Sequence, residues 1–426
     1  MKLAAWSCLA LLVSACSSTD PGAPGPGAAG GASAGQGSGG AGAGAGTGSG
    51  GAGTGGGVSG SAGSTLGGSD GASAGSGGSS AVAGGGAGGS AGNGGSAGSA
   101  PIAEPALRWI GRVDRTANGA KLSWPGTGFM ARFSGTGAHV SLKTNGVDYF
   151  QLVLDGKVSL LTTQAGTHVY DLAKNVTSGE HTVTLWRRTE PNNGVVEVGA
   201  VTFDGMLLAP LPAATKHLEI VGDSISVGFG VECKTQGEGF TFATENNYLT
   251  YQALTARKFG AELYTEAWSG IGMWRDVGGG TTASSQMPDR FLHGVPNDAA
   301  SLWDFGRYTP DAVVVLLGTN DFAKGDPGQP FVDAYIAFVA GLRTRYPKAR
   351  HYYAVSPMLG GTNRTAHKAY LGKVVTARNA ASDMNVAIIE FAQPAADAWG
   401  CGHPNAAAHA IMAGVLQAAL TKDLGW

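Results

Sequence analysis

The chain has 426 residues, enough for two or three domains, and a formal net charge of -2. Nothing in that balance points to nucleic acid or an electrostatically held membrane surface as a partner. Glycine reaches 73 residues, and the four cysteines (Cys8, Cys16, Cys233 and Cys401) have no spacing that would hold zinc.

Residues 1–16, MKLAAWSCLALLVSAC, start with a charge at Lys2, continue with a short apolar core from Leu9 to Val13, and place small residues just before Cys16. The pattern resembles a bacterial lipoprotein signal, which implies lipidation of Cys16; a simple secretory signal cleaved near Ala15 is the alternative. Export follows from either, and the lipidated form would face the periplasm or cell surface on its acyl anchor. Residues 17–100 are almost entirely Gly, Ala, Ser and Thr, without periodicity and with almost no charge. Such a segment cannot bury enough apolar surface to offset its ordering entropy, so a disordered tether is expected, spanning on the order of 50 Å.

Residues 101–213 change character. Alternating segments run over 108–113, 120–124, 128–133, 138–143, 149–154, 167–172, 181–187 and 195–203. In His181-Thr182-Val183-Thr184-Leu185-Trp186-Arg187 every second residue is apolar, the period of a half-buried strand. Turn dipeptides separate them: Asn118-Gly119, Ser134-Gly135, Asn145-Gly146, Asp155-Gly156 and Asn193-Gly194. Such a run of short strands predicts an antiparallel β-sandwich of jelly-roll type. Trp109, Trp124 and Trp186 have the composition of a sugar platform, but burial is the default for large aromatics, and core is the reading adopted.

Residues 214–426 alternate strand and helix. Strands are predicted at 218–221, 261–265, 312–317, 351–355 and 386–390, and helices at 248–259, 331–346, 364–383 and 406–422. The alternation implies a parallel sheet covered by helices on both faces, a three-layer α/β/α domain.

Four polar pieces lie at strand ends or just before the last helix: Gly222-Asp223-Ser224, Trp268-Ser269-Gly270-Ile271-Gly272, Gly318-Thr319-Asn320-Asp321 and Gly402-His403-Pro404-Asn405. Together, and in this order, they resemble the four blocks of the SGNH (GDSL-type) hydrolases. The resemblance implies a nucleophile at Ser224, a base at His403, and an oxyanion hole from the backbone N–H of Ser224, the backbone N–H of Gly270 and the side-chain amide of Asn320. The chemistry suits these residue types. A serine hydroxyl is a poor nucleophile without a base to take its proton, and an imidazole of ordinary pKa ~6.5 serves at neutral pH. Pre-aimed N–H donors stabilise the negative oxygen of the tetrahedral intermediate. Gly272 is a second candidate for the oxyanion glycine, and Asp223 and Asp321 read as structural loop residues.

Members of that family usually carry an aspartate two or three residues before the histidine, where this chain has Gly400 and Cys401. The site therefore reads as a Ser224–His403 dyad, oriented either by a backbone carbonyl in Gly400–Cys401 or by Asp397, the nearest upstream carboxylate. Cys233 and Cys401 both fall in the active-site loops of an exported protein, and a disulfide between them is expected. The sandwich, the Gly228-Phe229-Gly230 turn after the nucleophile, the Ser-Gly-x-Gly loop and the Cys401…His403-Pro404-Asn405 ending also resemble carbohydrate esterase family two, over residues 105–426. That resemblance implies O-deacetylation of polysaccharides of the acetyl xylan or glucomannan type. A monomer without metal or cofactor is expected. The rival readings are a lipase-like esterase for longer acyl chains and a surface-tethered glycan-binding protein with a vestigial site.

Overall fold

The computed structural model describes residues 106–426. The leader, the tether and Cys16 lie outside the described residues.

Nine antiparallel strands come first: β1 (Arg108–Ile110), β2 (Asp114–Thr116), β3 (Gly119–Leu122), β4 (Gly128–Thr144), β5 (Tyr149–Leu154), β6 (Lys157–Thr162), β7 (Gly166–Ala173), β8 (Gly179–Arg187) and β9 (Val196–Leu208). The two segments predicted over 128–133 and 138–143 are one 17-residue strand. Its first half pairs with β8 and its second half with β7, while β9 accompanies it from Arg132 to Lys143. Phe129, Ala131 and Phe133 from the first half enter the same core as Ala138, Val140 and Leu142 from the second. The strand thus bends around the core and serves both layers. Ser134-Gly135 is the bend rather than a hairpin turn. The register with β9 slips there, and a Cβ at Gly135 would fall 2.2 Å from the Asp204 carbonyl oxygen, so a glycine is needed for the two backbones to meet. Asp155-Gly156 does make a two-residue turn, with φ of +50° and +80°, and leads into β6, a strand absent from the prediction.

The second half is a five-stranded parallel sheet of β10 (His217–Gly222), β11 (Glu262–Ala267), β12 (Ala312–Leu316), β13 (Arg350–Val355) and β14 (Val386–Glu390), in the order β11-β10-β12-β13-β14. The helices are α1 (Ser224–Val227), α2 (Tyr251–Phe259), α3 (Met287–Arg290), α4 (Gly328–Arg345), α5 (Gly361–Ala380) and α6 (Ala406–Leu424). Strand alternation sends Val313, Val315 and Leu317 to one face, against Phe331, Tyr335 and Val339 of α4 and Leu371 and Val374 of α5. Ala312, Val314 and Leu316 go to the other, against Tyr251 of α2 and Met412, Leu416 and Leu420 of α6. The strand order reverses beside β10, so the crevice at its carboxyl end is the place where open α/β sheets bind ligands.

The two halves share buried contacts. Trp124 of the sandwich is fully buried in the α/β core, and its indole N–H donates to the His293 carbonyl at 2.9 Å. This is the core reading expected for that residue. Arg112, just after β1, is completely buried as well. It bonds Glu219 of β10 and the Phe291 carbonyl, and its Nε lies 3.1 Å from a Glu266 carboxylate oxygen of β11. Its guanidinium also sits over the Phe291 ring at 4.0 Å. Burial pushes the Glu266 carboxyl well above the usual carboxylate range, and Arg112 opposes that push. Arg112→Met strands two buried carboxylates, and urea unfolding should show a loss of about 3–5 kcal/mol. A loss under about 1 kcal/mol would show that the cluster carries no stability.

Candidate active site

Ser224 follows β10 and is the first residue of α1; it is 5% exposed. Asp223 caps that short helix by accepting from the Ile225 N–H at 3.0 Å. The turn leaves the first amides of α1 without helical partners, the feature an oxyanion hole uses. Asp223 is wholly buried, and desolvation pushes its carboxyl up to about 7.

His403 comes from the other end of the domain. Two-residue strands β15 (Trp399–Gly400) and β16 (His403–Pro404) pair as a miniature hairpin. The turn residues Cys401 and Gly402 have φ of +52° and +73°, so both central positions are left-handed. Asn405 then caps α6 through the Ala407 and Ala408 amides. His403 Nε2 lies 2.8 Å from Ser224 Oγ. Its Nδ1 faces the Cys401 carbonyl at 3.4 Å, long for such a bond, as catalytic contacts often are before substrate binds. Asp397 is not brought to the ring. Its side chain is exposed, its carbonyl accepts from Asn405 Nδ2, and no contact joins it to His403. Among the described residues the group facing Nδ1 is thus the Cys401 carbonyl and not the candidate orienting acid.

The Cys233–Cys401 disulfide is present and links residues 168 positions apart. Cys401 also donates its N–H to the Thr235 carbonyl at 2.8 Å. A left-handed non-glycine residue is costly, and these two ties hold Cys401 in that conformation. Phe229, in the turn after α1, packs on the imidazole with ring centroids 4.3 Å apart, and Phe240 stacks on Phe229. This apolar wall disfavours the charged ring, and burial lowers the His403 pKa to about 4, against the raising effect of the Cys401 carbonyl.

The oxyanion loop follows β11. Gly270 has φ of +81° and open space where a side chain would stand, apart from Val277 Cγ1 at 3.3 Å. At Gly272 a Cβ would fall 1.9 Å from the Arg275 carbonyl oxygen, so close packing accounts for that glycine. Asn320, after β12, is 7% exposed, and Nδ2 donates one N–H to the Ile271 carbonyl at 2.7 Å. Its second amide N–H remains for an oxyanion. Asp321 accepts from the Met273, Trp274 and Arg275 amides at 2.8–2.9 Å, the structural role read from the sequence. Trp268 lines the open groove beside Gly270 and Ile271.

Two residues of this region gave no sequence signal. Glu190 and Asn192 stand at the corner after β8, in the sandwich half. Glu190 Oε2 accepts from the Ser269 N–H at 2.6 Å, and Asn192 Oδ1 accepts from Trp268 Nε1 at 2.8 Å. Both contacts span more than 75 residues, beyond any local periodicity.

Residues 109–212 match the family Carbohydrate esterase 2 N-terminal, and residues 220–411 match the GDSL-like Lipase/Acylhydrolase family. The cellulase/esterase CelE of Acetivibrio thermocellus is 35% identical over 329 residues, which are 76% of this chain and 40% of that protein. The chain thus spans less than half the length of that curated relative. An acetylxylan esterase / glucomannan deacetylase of Cellvibrio japonicus is 25% identical over 331 residues, 76% of this chain and 90% of the relative. Among solved structures, a family two carbohydrate esterase from Clostridium thermocellum in complex with cellohexaose is similar at a TM-score of 0.72 and 35% identity, covering 75% of this chain and 100% of that one.

The sign of the pH dependence follows from His403. Only the neutral imidazole can take the serine proton, and a pKa lowered to about 4 keeps it neutral to acid pH. kcat/KM for an ester substrate should keep at least half its maximum down to about pH 5 and fall as pH drops further. An inflection near 7 would belong to Asp223 and should vanish in Asp223→Asn. A midpoint near 6.5 that survives this substitution would contradict the desolvated base.

Proposed function

The chain belongs to carbohydrate esterase family two, and we propose that it removes O-acetyl groups from polysaccharides of the acetyl xylan or glucomannan type. The observation that carries the reading is the 2.8 Å contact between His403 Nε2 and Ser224 Oγ, at the switch point of the parallel sheet. Ser224 Oγ attacks the acetyl carbonyl while His403 Nε2 takes its proton. The negative oxygen falls to the N–H groups of Ser224, Gly270 and Asn320 Nδ2. His403 returns the proton to the departing sugar hydroxyl, leaving an acetyl-serine. A water molecule, deprotonated by the same ring, releases acetate and restores the serine. The Cys401 carbonyl, accepting the Nδ1 proton, selects the tautomer that leaves Nε2 free as acceptor.

The groove beside Gly270, bordered by Trp268 and open to solvent, suits a polymer that carries a small acyl group. The largely apolar cavity lined by Ile110, Met130, Trp186 and Leu263 includes none of the proposed site residues, so it offers no channel for a long acyl chain at Ser224. In this reading the export signal and Cys16 lipid anchor place the enzyme outside the cytoplasm, on its tether.

The test is acetate release by the full-length chain from acetylated xylan, glucomannan, peptidoglycan and chitin oligomers. Xylan or glucomannan should lead, Ser224→Ala should lose at least ~10³-fold in kcat, and p-nitrophenyl acetate should exceed the octanoate. A preference for the octanoate, or turnover that survives Ser224→Ala, would overturn the reading. In the same expressing cells, Cys16→Ser should move activity from the membrane pellet to the soluble fraction; an unchanged distribution would remove the anchor.

A further inference from the structure

The β-sandwich meets the loops of the proposed site at the corner of residues 187–194, which follows β8. This corner is heavily braced. Arg187 bonds the Asp148 carboxylate and the Gly194 carbonyl, each at 2.8 Å, and the Ser123 carbonyl at 2.6 Å. A short 3-10 turn over Pro191–Asn193 closes with the Gly194 N–H on the Pro191 carbonyl. The Glu190 N–H donates to a buried Glu245 carboxylate oxygen at 2.7 Å.

From this braced corner two sets of bonds leave. One goes to the nucleophile side: the Arg188 carbonyl accepts from the Asn247 N–H at 3.0 Å, and Asn247 Nδ2 donates to the Ser226 carbonyl of α1 at 3.0 Å. The other goes to the oxyanion side, where Glu190 Oε2 holds the Ser269 N–H and Asn192 holds the Trp268 indole. Ser269 immediately precedes Gly270. The Ser269 N–H lies in the peptide plane before Ser269 and the Gly270 N–H in the plane after it, so a fixed Ser269 amide leaves the Gly270 N–H only the rotation about Ser269, while at Gly270, left-handed at φ +81°, the carbonyl accepts from the Val277 N–H at 2.8 Å.

We propose that Glu190 is a positioning residue for the esterase reaction, fixing the Ser269–Gly270 segment so that the Gly270 N–H faces the oxygen bound at Ser224. The sandwich is then a part of the catalytic site rather than an independent glycan module. The requirement is an acceptor at the right length, not a charge. Glu190 is 1% exposed, and a negative charge next to a developing oxyanion would oppose the reaction. Desolvation indeed raises the Glu190 pKa, so that the neutral form is favoured relative to a free carboxylate. Glutamine keeps the oxygen in place without charge. Aspartate keeps the charge and is one methylene too short to reach Ser269.

The inference rests on the esterase reading above, and one experiment separates them. Wild type, Ser224→Ala, Glu190→Gln, Glu190→Asp, Glu190→Ala and Asn192→Ala are assayed on p-nitrophenyl acetate and acetylated xylan, with folding followed by near-UV circular dichroism. Arg112→Met serves as the control for a buried domain contact whose bonds go to Glu219, Phe291 and Tyr346 rather than to residues 268–270. Glu190→Asp and Glu190→Ala should lower kcat by about 10–100-fold with KM within about threefold, because a misaimed donor is lost only in the transition state. Glu190→Gln should stay within about threefold of wild type. Asn192→Ala, an exposed change, should lower kcat by less than the Glu190→Ala factor, and Arg112→Met should lower stability while kcat stays within about twofold. A wild type without Ser224-dependent turnover overturns both readings. With that turnover intact, this proposal alone is overturned if Glu190→Asp keeps kcat within twofold. It is likewise overturned if Glu190→Gln loses as much as Glu190→Asp, or if the loss falls on KM.

Discussion

In the proposed reaction the histidine that serves as base for the serine must be held by its far nitrogen, and the group facing that nitrogen is a single backbone carbonyl. His403 can present Nε2 to Ser224 only if Nδ1 keeps its proton, and the group facing Nδ1 is the carbonyl of Cys401. A carboxylate can pivot to follow a ring, whereas a carbonyl goes where the backbone places it. The hairpin of residues 399–404 must therefore be rigid. Its left-handed Cys401 is held by the disulfide to Cys233 and by a hydrogen bond to Thr235. The missing acid has a second consequence: with no anion at Nδ1 and Phe229 against its face, the ring has little to stabilise a positive charge. A base of this kind is weak but stays unprotonated in mildly acidic surroundings.

The remainder of the site depends on contacts between the sandwich and the α/β half that are polar and buried. Arg112 with Glu219 and Glu266 forms one cluster, and Glu190 with Glu245 forms another. Burying charge is expensive, and an apolar interface of the same shape would often be as stable. Such groups do tolerate only one alignment, because a shifted interface leaves each of them without its partner. For a site whose oxyanion loop is tied to the sandwich corner, that single alignment is the useful property.

The fold was legible where local chemistry decided it. All five parallel strands and the four long helices fall where the alternation of short apolar runs with longer helical stretches predicts them. β4 was not, because Ser134-Gly135 signals a turn, and only the crossing with β9 shows that the glycine is there for backbone clearance. β6 was missed because Lys157, Val158, Ser159 and Leu160 are all exposed, so no alternation of burial shaped the sequence. At the site, Ser224, Gly270, Asn320 and His403 were legible as motifs, and the cysteine pair from its placement in two site loops. Asp397 was a candidate only by proximity in sequence; the turn geometry at Cys401, invisible in the sequence, points the imidazole elsewhere. Glu190 was unreadable because its partner lies 79 residues away in another domain.

The central claim is that a backbone carbonyl, not a carboxylate, orients the base. The most direct measurement is kcat/KM of Asp397→Ala on p-nitrophenyl acetate beside wild type. The account predicts values within about threefold of each other. A fall of roughly 10³–10⁴, the size expected for loss of a triad acid, would contradict it.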